Sequence, residues 1–524
     1  MVDPFRLEVF KNAFSSVAEQ MGAVLRRTAF SPNIKERQDF SCAVFDAEGR
    51  LVAQASHIPV HLGSMPASVK EAIKSFSFQE GDAVVLNDPY AGGTHLPDVT
   101  VVSPVFYEGE LLFFVANRAH HADVGGASPG SMPVSKSLFE EGFVIPPTKL
   151  VKRGRLNEEF LRLFLRNVRA PKEREADFKA QLMANEVGAR LIAELLNREG
   201  KERVLFYAEE LINYAERLLR KRIKRLPDGS YCFFDFVEDD GLGGGPYRVA
   251  LELTVKDDEL IFDFTGSDGQ AKGGVNAVRS VVESAVLYAV VALLGGDLPV
   301  NEGCLRAIKV KTRKGSLLDP RFPAGVSAGN VETSQRIVDV VLGAFAQVLP
   351  EEVPAASQGT MNNVAVGGID PRTGEPFAYY ETIGGGTGAS AKTDGESAVH
   401  SHMTNTLNTP VEALEHHYPI RVLTYRVRRG SGGAGLRRGG DGIVREYLFL
   451  ADAEVSVVSE RRKLAPYGLF GGRDGAKGKN LLIDAEGNER ELPSKFVREF
   501  KRGERLRIET PGGGGYGAPD RRRG

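Results

Sequence analysis

The stretch Asn87-Asp-Pro-Tyr-Ala-Gly-Gly-Thr-His-Leu-Pro-Asp98 runs into apolar residues 99–106, a Glu108-Gly109 turn, a second apolar run at 110–116, and then Asn117-Arg-Ala-His-His-Ala-Asp123. Two β-rich runs around a glycine turn predict an antiparallel hairpin. Centred between Glu108 and Gly109, its cross-strand partners sum to about 217, which sets Asp98 opposite Ala119 and Pro97 opposite His120. Paired Cα atoms lie about 5 Å apart, so the two polar segments meet at the open end. His95, Asp98 and either His120 or His121 then converge on one point. Two imidazoles and a carboxylate suit a divalent metal such as zinc, manganese or iron, with positions left for water or substrate. Because His120 and His121 are neighbours on a continuing strand, they point to opposite faces and one of them is the ligand. Asp123 or Asp88 is placed to orient a metal-bound imidazole from behind.

The other histidines are weaker signals. His57-Ile-Pro-Val-His61 has the spacing of a helical zinc pair, but Pro59 disfavours the helix and no glutamate follows His57. In an extended segment both would share a face, available to bind substrate or to act as general acid, or serving only as hydrogen-bonded structural groups. His400-Ser-His402 and His416-His417 carry the same ambiguity. Thr409-Pro410-Val-Glu412 predicts a capping box that opens a short helix. Gly386-Thr-Gly-Ala-Ser-Ala-Lys392-Thr393 falls short of a phosphate-binding loop, since Ala391 replaces the glycine before lysine and an Asp394-Gly395 turn follows where a helix is needed.

Outward from these motifs the chain reads as α+β, a multidomain mixed architecture with antiparallel hairpins, a helical middle segment and a glycine-rich, β-containing C-terminal region. Phe10, Phe14, Val17, Met21, Val24 and Leu25 predict an amphipathic helix over 4–27, followed by a hairpin within 40–53 and a helix over 66–78. These and the metal-site hairpin form an expected N-terminal domain, 1–150. Dense charge, sparse glycine and helically spaced leucines predict a helical segment, 151–226. Its basic end, Arg217 to Arg225, reads as a solvated face or a contact. Strands at 231–237, 247–255 and 260–264 and apolar helices at 275–294 and 334–348 make a middle domain, 227–350. The region 351–524 alternates strands with glycine clusters at 384–388, 430–435, 439–442 and 512–517, with no fixed repeat.

Composition agrees. The 524 residues include 59 glycines, a richness that favours turns and close backbone approaches over a helical bundle. Lys plus Arg number 67 against 69 Asp plus Glu, so no global field draws the chain to nucleic acid or a membrane. The most apolar run, 285–294, is too short to span a bilayer and reads as a core helix. Charges at Asp3, Arg6 and Glu8 oppose a secretory signal, and Cys42, Cys232 and Cys304 lack metal or redox spacing, so reduced thiols in a cytoplasmic protein are expected.

Taken in order, the motifs Glu36-Arg-Gln-Asp-Phe-Ser41, His57 to Gly63, Asn87 to Asp98, His120-His-Ala-Asp-Val-Gly-Gly126, Asp263-Phe-Thr-Gly266, Gly329-Asn-Val-Glu-Thr-Ser-Gln335, Tyr380-Glu-Thr382, Asn408 to Glu412 and Pro511 to Gly517 closely resemble the hydantoinase B and 5-oxoprolinase family, which includes the alpha subunit of acetone carboxylase. The resemblance runs nearly end to end. It implies one subunit of a hetero-oligomeric, ATP-dependent enzyme for a small cyclic amide, a hydantoin or 5-oxoproline, with ATP bound by a separate hydantoinase A-type partner. It also implies a divalent metal, manganese in the carboxylase branch, on His95, Asp98 and His120, and so selects His120 over His121. His121, Asp123 and His57 then remain as catalytic groups for proton transfer. Two alternatives stand beside the hydrolase: a metal-bearing subunit of an ATP-dependent ketone carboxylase, and a non-catalytic scaffold for the ATPase partner.

Overall fold

The computed structural model describes residues 2–55 and 57–519. The first helix, Pro4–Thr28, starts where Asp3 Oδ1 accepts from the Phe5 amide at 3.0 Å and ends on Arg26 and Arg27, where cations offset the carbonyl end of the helix dipole. Its buried stripe of Phe10, Phe14, Val17, Met21 and Leu25 shares an apolar cluster with the first sheet and with Ile192, Leu195 and Leu196 of a long helix, Pro171–Glu199.

That sheet has seven antiparallel strands, β1 (Phe40–Asp46), β2 (Leu51–Gln54), β3 (Ala83–Leu86), β4 (Asp98–Tyr107), β5 (Glu110–His120), β6 (Thr148–Lys152) and β7 (Arg155–Leu156), in the order β2-β1-β5-β4-β3-β6-β7. The predicted hairpins are β1–β2 and β4–β5. The register of the second differs from the expected one. Tyr107 pairs with Glu110 and Phe106 with Leu111, but Val105 pairs with Phe113, so Leu112 is an extra residue in β5. This bulge shifts every later pair by one, and Asp98 faces His120, not Ala119.

The helix expected over 66–78 is Met65–Ser75, and the charged middle segment forms helices Glu158–Arg166, Pro171–Glu199 and Lys201–Ile223. At the basic end of the last one, Arg220 binds Glu216 and Asp258, while Arg222 donates to the Leu294 carbonyl and pairs with Asp297. These cations tie the helix to its neighbours.

A second sheet comprises β8 (Gly229–Val237), β9 (Tyr247–Lys256), β10 (Glu259–Asp263) and β11 (Ile308–Lys311), antiparallel except for the β10–β11 pair. It packs with the apolar helices Arg279–Leu294 and Ser334–Phe345, the latter buried along its whole length. One turn of π-helix, Gly329–Thr333, precedes Ser334. Among the described residues no helix is long and apolar enough to cross a membrane.

The last third holds two antiparallel sheets. One has Asn363–Ile369 between Pro376–Glu381 and Ala453–Val458, with Lys495–Phe500 beyond; the other runs Ile420–Arg428, Gly442–Phe449, Arg505–Glu509, Lys479–Ile483, Glu489–Leu492. Its glycine clusters pack on one another, backbone to backbone. Gly513 donates to the Gly440 carbonyl at 2.9 Å, Gly440 to Thr387 at 2.9 Å and Gly386 to Pro511 at 3.1 Å. A Cβ on Gly513 would lie 1.9 Å from the Thr387 carbonyl oxygen, closer than any side chain allows. The expected capping box is not formed: helix Val411–His417 begins after Pro410 with no side-chain bond at its cap. Its proline rigidly sets the entry to the helix without one.

Candidate metal centre

The Asn87–Asp98 loop is built to bring its last residues to the sheet. Asn87 Nδ2 donates to the carbonyls of Leu96 (2.8 Å) and Phe143 (3.0 Å), and its Oδ1 accepts from the Ile145 amide at 2.6 Å. Asp88 caps the single turn Pro89–Ala91 through the Tyr90 amide, and Gly92 then takes the left-handed conformation, φ 85°. A Cβ there would sit 2.6 Å from the Ala67 carbonyl, so the loop requires glycine.

The Asp98 carboxylate stands at the centre of the cluster. His95 Nε2 lies 3.3 Å from Oδ2, His120 Nδ1 3.2 Å from Oδ1, and His61 Nε2 3.4 Å from Oδ2. Thr94 Oγ1 donates to Oδ2 at 2.7 Å, and Asn330 Nδ2, from the π-turn, does so at 3.3 Å. His95, Asp98, His120 and His61 are all at most 3 % exposed. Burial pushes the Asp98 carboxyl up, but the imidazoles of His95 and His61 beside it and the hydrogen bond from His120 outweigh this and hold it well below the ordinary carboxylate range. Burial lowers His120 more than Asp98 raises it, so this ring is readily neutral, as a metal ligand must be.

The His95 proton follows from its neighbour. His95 Nδ1 lies 3.3 Å from the Ser327 carbonyl, which only accepts, so the proton is on Nδ1 and the Nε2 lone pair faces the cluster. Ser41 Oγ accepts from the Ile58 amide at 3.2 Å and shares a second hydrogen bond with His61 Nδ1 at 2.9 Å, which orients the ring with Nε2 facing Asp98. The Nε2 atoms of His61, His95 and His120 are buried without a hydrogen-bond partner. Such atoms are costly unless something else is held there. One ligand atom from each of His95, Asp98 and His120 can be chosen so that all lie within 4.8 Å of one another, a buried donor set that fits a divalent cation. The adjoining cavity is small, about 20 Å³, room for about one water or ion. Tyr380 closes it, its ring stacked on His120 at 4.5 Å with the Arg37 guanidinium 5.1 Å over the same ring.

The three residues read as proton carriers lie elsewhere. His121 points away from the cluster, donates from Nε2 to Gln181 Oε1 at 2.9 Å and packs on Phe178; burial takes it down to about 4. Asp123 accepts from the amides of Gly125 (2.9 Å), Gly130 (3.1 Å) and Arg169 (2.9 Å) and from Arg169 Nη1 (3.1 Å), which organises a loop. His57 accepts from the Cys42 amide at 3.1 Å and lines a separate cavity. His57 and His61 do not share a face, because Pro59–His61 is a single 3₁₀ turn that rotates His61 inward. His61 is thus the residue of that pair that reaches Asp98. Asn330, Tyr380 and Ser41 were missed as site residues; they stand in the quoted motifs, but no spacing rule links them to a hairpin mouth that lies in a separate stretch of the chain, more than 200 residues away for Asn330 and Tyr380.

Fold and site together define a mixed α/β protein with a buried His-His-Asp cluster. The chain belongs to the hydantoinase B/oxoprolinase family, whose pattern matches residues 3–519. It is 42 % identical over 524 residues to an uncharacterised protein of Methanocaldococcus jannaschii, covering 99 % of this chain and 91 % of that one. It is 43 % identical over 531 residues to a 5-oxoprolinase of Dictyostelium discoideum, covering 99 % of this chain but only 41 % of that much longer protein. Among solved structures it is similar to the ATP-dependent caprolactamase from Pseudomonas jessenii, with a TM-score of 0.93, 31 % identity, and coverage of 100 % of this chain and 92 % of that one.

Proposed function

We propose that this chain is the B-type, ring-opening subunit of an ATP-dependent cyclic-amide hydrolase, working with an A-type subunit that binds ATP. The observation that carries this reading is the unpartnered, buried set of nitrogen atoms around Asp98 in a chain of this family. Amide resonance makes a lactam or cyclic ureide resistant to water. Phosphorylation of its carbonyl oxygen by the partner yields an activated, imidate-like electrophile, which accounts for the ATP requirement named for the caprolactamase relative.

His95, Asp98 and His120 would hold a divalent cation, manganese, zinc or iron, which supplies Lewis-acid charge beside the reacting carbon. The remaining work belongs to this chain's own groups. Ser327 fixes the His95 tautomer; Thr94 and Asn330 fix the Asp98 carboxylate; Tyr380 fixes the His120 ring plane. His61, its Nδ1 hydrogen-bonded to Ser41 and its Nε2 3.4 Å from Asp98 Oδ2, is the imidazole placed to hold a proton at the cluster and, in its doubly protonated form, to give one to the departing ring nitrogen and return to the neutral ring. His121, Asp123 and His57 have no such position.

The test is ATP-dependent ring opening by the two-subunit complex with His95→Ala or His120→Ala in this chain. Turnover should fall about 100-fold or more with loss of bound metal. Full turnover in both variants would sink the proposal in favour of a scaffold role. ATP use with acetone and bicarbonate, and none with a cyclic amide, would make the chain a carboxylase subunit.

A further inference from the structure

The cavity at the cluster, about 20 Å³, is too small for any ring, so a cyclic substrate must be held next to it. A second cavity of about 400 Å³ lies on the other side of residues 57–62, within the ~300–1,000 Å³ usual for small-molecule sites. The two share one wall. Ile58 lines both, and Ser41, on the wall of the larger one, is hydrogen-bonded through His61 to the Asp98 side of the smaller one.

The lining of the larger cavity specifies its ligand. Val52, Leu62, Leu211 and Val291 supply apolar surface, and Ser15, Ser41, Gln54 and Tyr288 supply uncharged polar groups. Burial takes the His57 imidazole down to about 4, so it is neutral at physiological pH. The charged groups at the rim are already matched: Lys11 Nζ lies 2.6 Å from Glu8, and Asp297 is paired with Arg222, which also donates to the Leu294 carbonyl at 2.6 Å. A ring bearing a carboxylate would find no unclaimed cation there, and desolvating an unpaired carboxylate is expensive.

We propose that this cavity, between the first helix, β2 and residues 57–62 and 296–300, is the substrate-binding antechamber of the metal cluster, and that it takes a small uncharged cyclic amide rather than a ring carboxylate such as 5-oxoproline. The inference deepens the cyclic-amide reading and rests on it for the identity of the ligand. Apolar ring carbons lie against the aliphatic wall, the ring N–H and C=O meet the neutral polar groups, and Ser41 and His61 connect the bound ring to Asp98.

Equilibrium binding of hydantoin, caprolactam and 5-oxoproline to the full chain, by titration calorimetry, tests it. Ser15 is half-buried on the cavity side of the first helix, so Ser15→Phe fills the space without opening the core. The uncharged rings should bind the wild-type chain, bind Ser15→Phe about tenfold more weakly or worse, and bind chelator-treated protein as well as untreated. 5-Oxoproline should bind at least about tenfold more weakly than hydantoin. Hydantoin and caprolactam binding that is absent, or unmoved by Ser15→Phe with unchanged circular dichroism, overturns the site. Equal or tighter binding of 5-oxoproline overturns the uncharged class. Failure of the function itself looks different: ring binding intact and sensitive to Ser15→Phe, with no ATP-dependent ring opening by the complex.

Discussion

Asp98 and His120 are direct cross-strand partners, with His120 Nδ1 3.2 Å from Asp98 Oδ1, because the extra residue Leu112 shifts the β4–β5 register by one. Without that bulge Asp98 would face Ala119. A strand's side chains alternate, so a one-residue slip would turn His121 toward Asp98 and His120 toward Gln181. The bulge is therefore part of the site, placed seven pairs away from it.

Asp98→Asn keeps the shape of the side chain but removes the charge that three imidazoles surround. Bound divalent metal, measured by elemental analysis after dialysis, should fall from about one per chain to a small fraction of that, with the secondary structure retained by circular dichroism. Retention of full metal would remove Asp98 from the ligand set.

Asn330→Ala deletes one of the two side-chain hydrogen bonds that aim Asp98 Oδ2. Metal affinity in chelator competition should weaken about 10- to 100-fold while the fold is kept, the usual size of losing a group that orients a ligand. His121→Gln, on the other face of the strand, should leave affinity unchanged.

Glu332 lies in the same π-turn, its Oε1 accepting from the Met361 amide at 2.9 Å and from Asn363 at 2.7 Å, and burial raises its carboxyl to about 8. A carboxyl whose folded pKa is raised contributes stability that is present below its unfolded pKa of about 4.3 and is lost as pH rises through about 8. Scanning calorimetry should show the wild-type midpoint falling between about pH 6.5 and 8, and a smaller fall in Glu332→Gln. The buried histidines act in the opposite direction. His121 and His400, each lowered to about 4 by burial, contribute stability that is full above about 6.5 and is lost as pH falls through about 4. Equal alkaline slopes in the wild type and Glu332→Gln would refute the assignment.

Gly513→Ala pushes a methyl group to 1.9 Å from the Thr387 carbonyl oxygen, a backbone atom within a hydrogen-bonded layer that cannot give way cheaply. It should destabilise the protein by about 2–4 kcal/mol in denaturant unfolding. Gly269→Ala, where nothing lies within 4 Å of the added carbon, should change stability by less than about 0.5 kcal/mol.

Much of this was legible in the residues themselves. The heptad-like stripe of Phe10, Phe14, Val17 and Met21 specified the first helix, the turn at Glu108-Gly109 specified the hairpin, and alternation separated His120 from His121. Local signals of this kind depend only on near neighbours and on the fixed periods of helix and strand. The glycine clusters were legible as glycine but not in purpose, since their need for backbone contact comes from partners such as Thr387 and Gly440, far from Gly513 in sequence.

The sequence by itself determined the α+β class and the meeting of His95, Asp98 and a histidine at one hairpin mouth. Tertiary structure decided which groups complete that mouth. The Leu112 bulge set Asp98 against His120, the 3₁₀ turn at Pro59 aimed His61 inward, and the π-turn carried Asn330 to Asp98 from 232 residues away. Each depends on a packing compromise between distant segments, a bulge absorbed by a sheet or a turn widened against a buried helix, and no local periodicity records such a compromise.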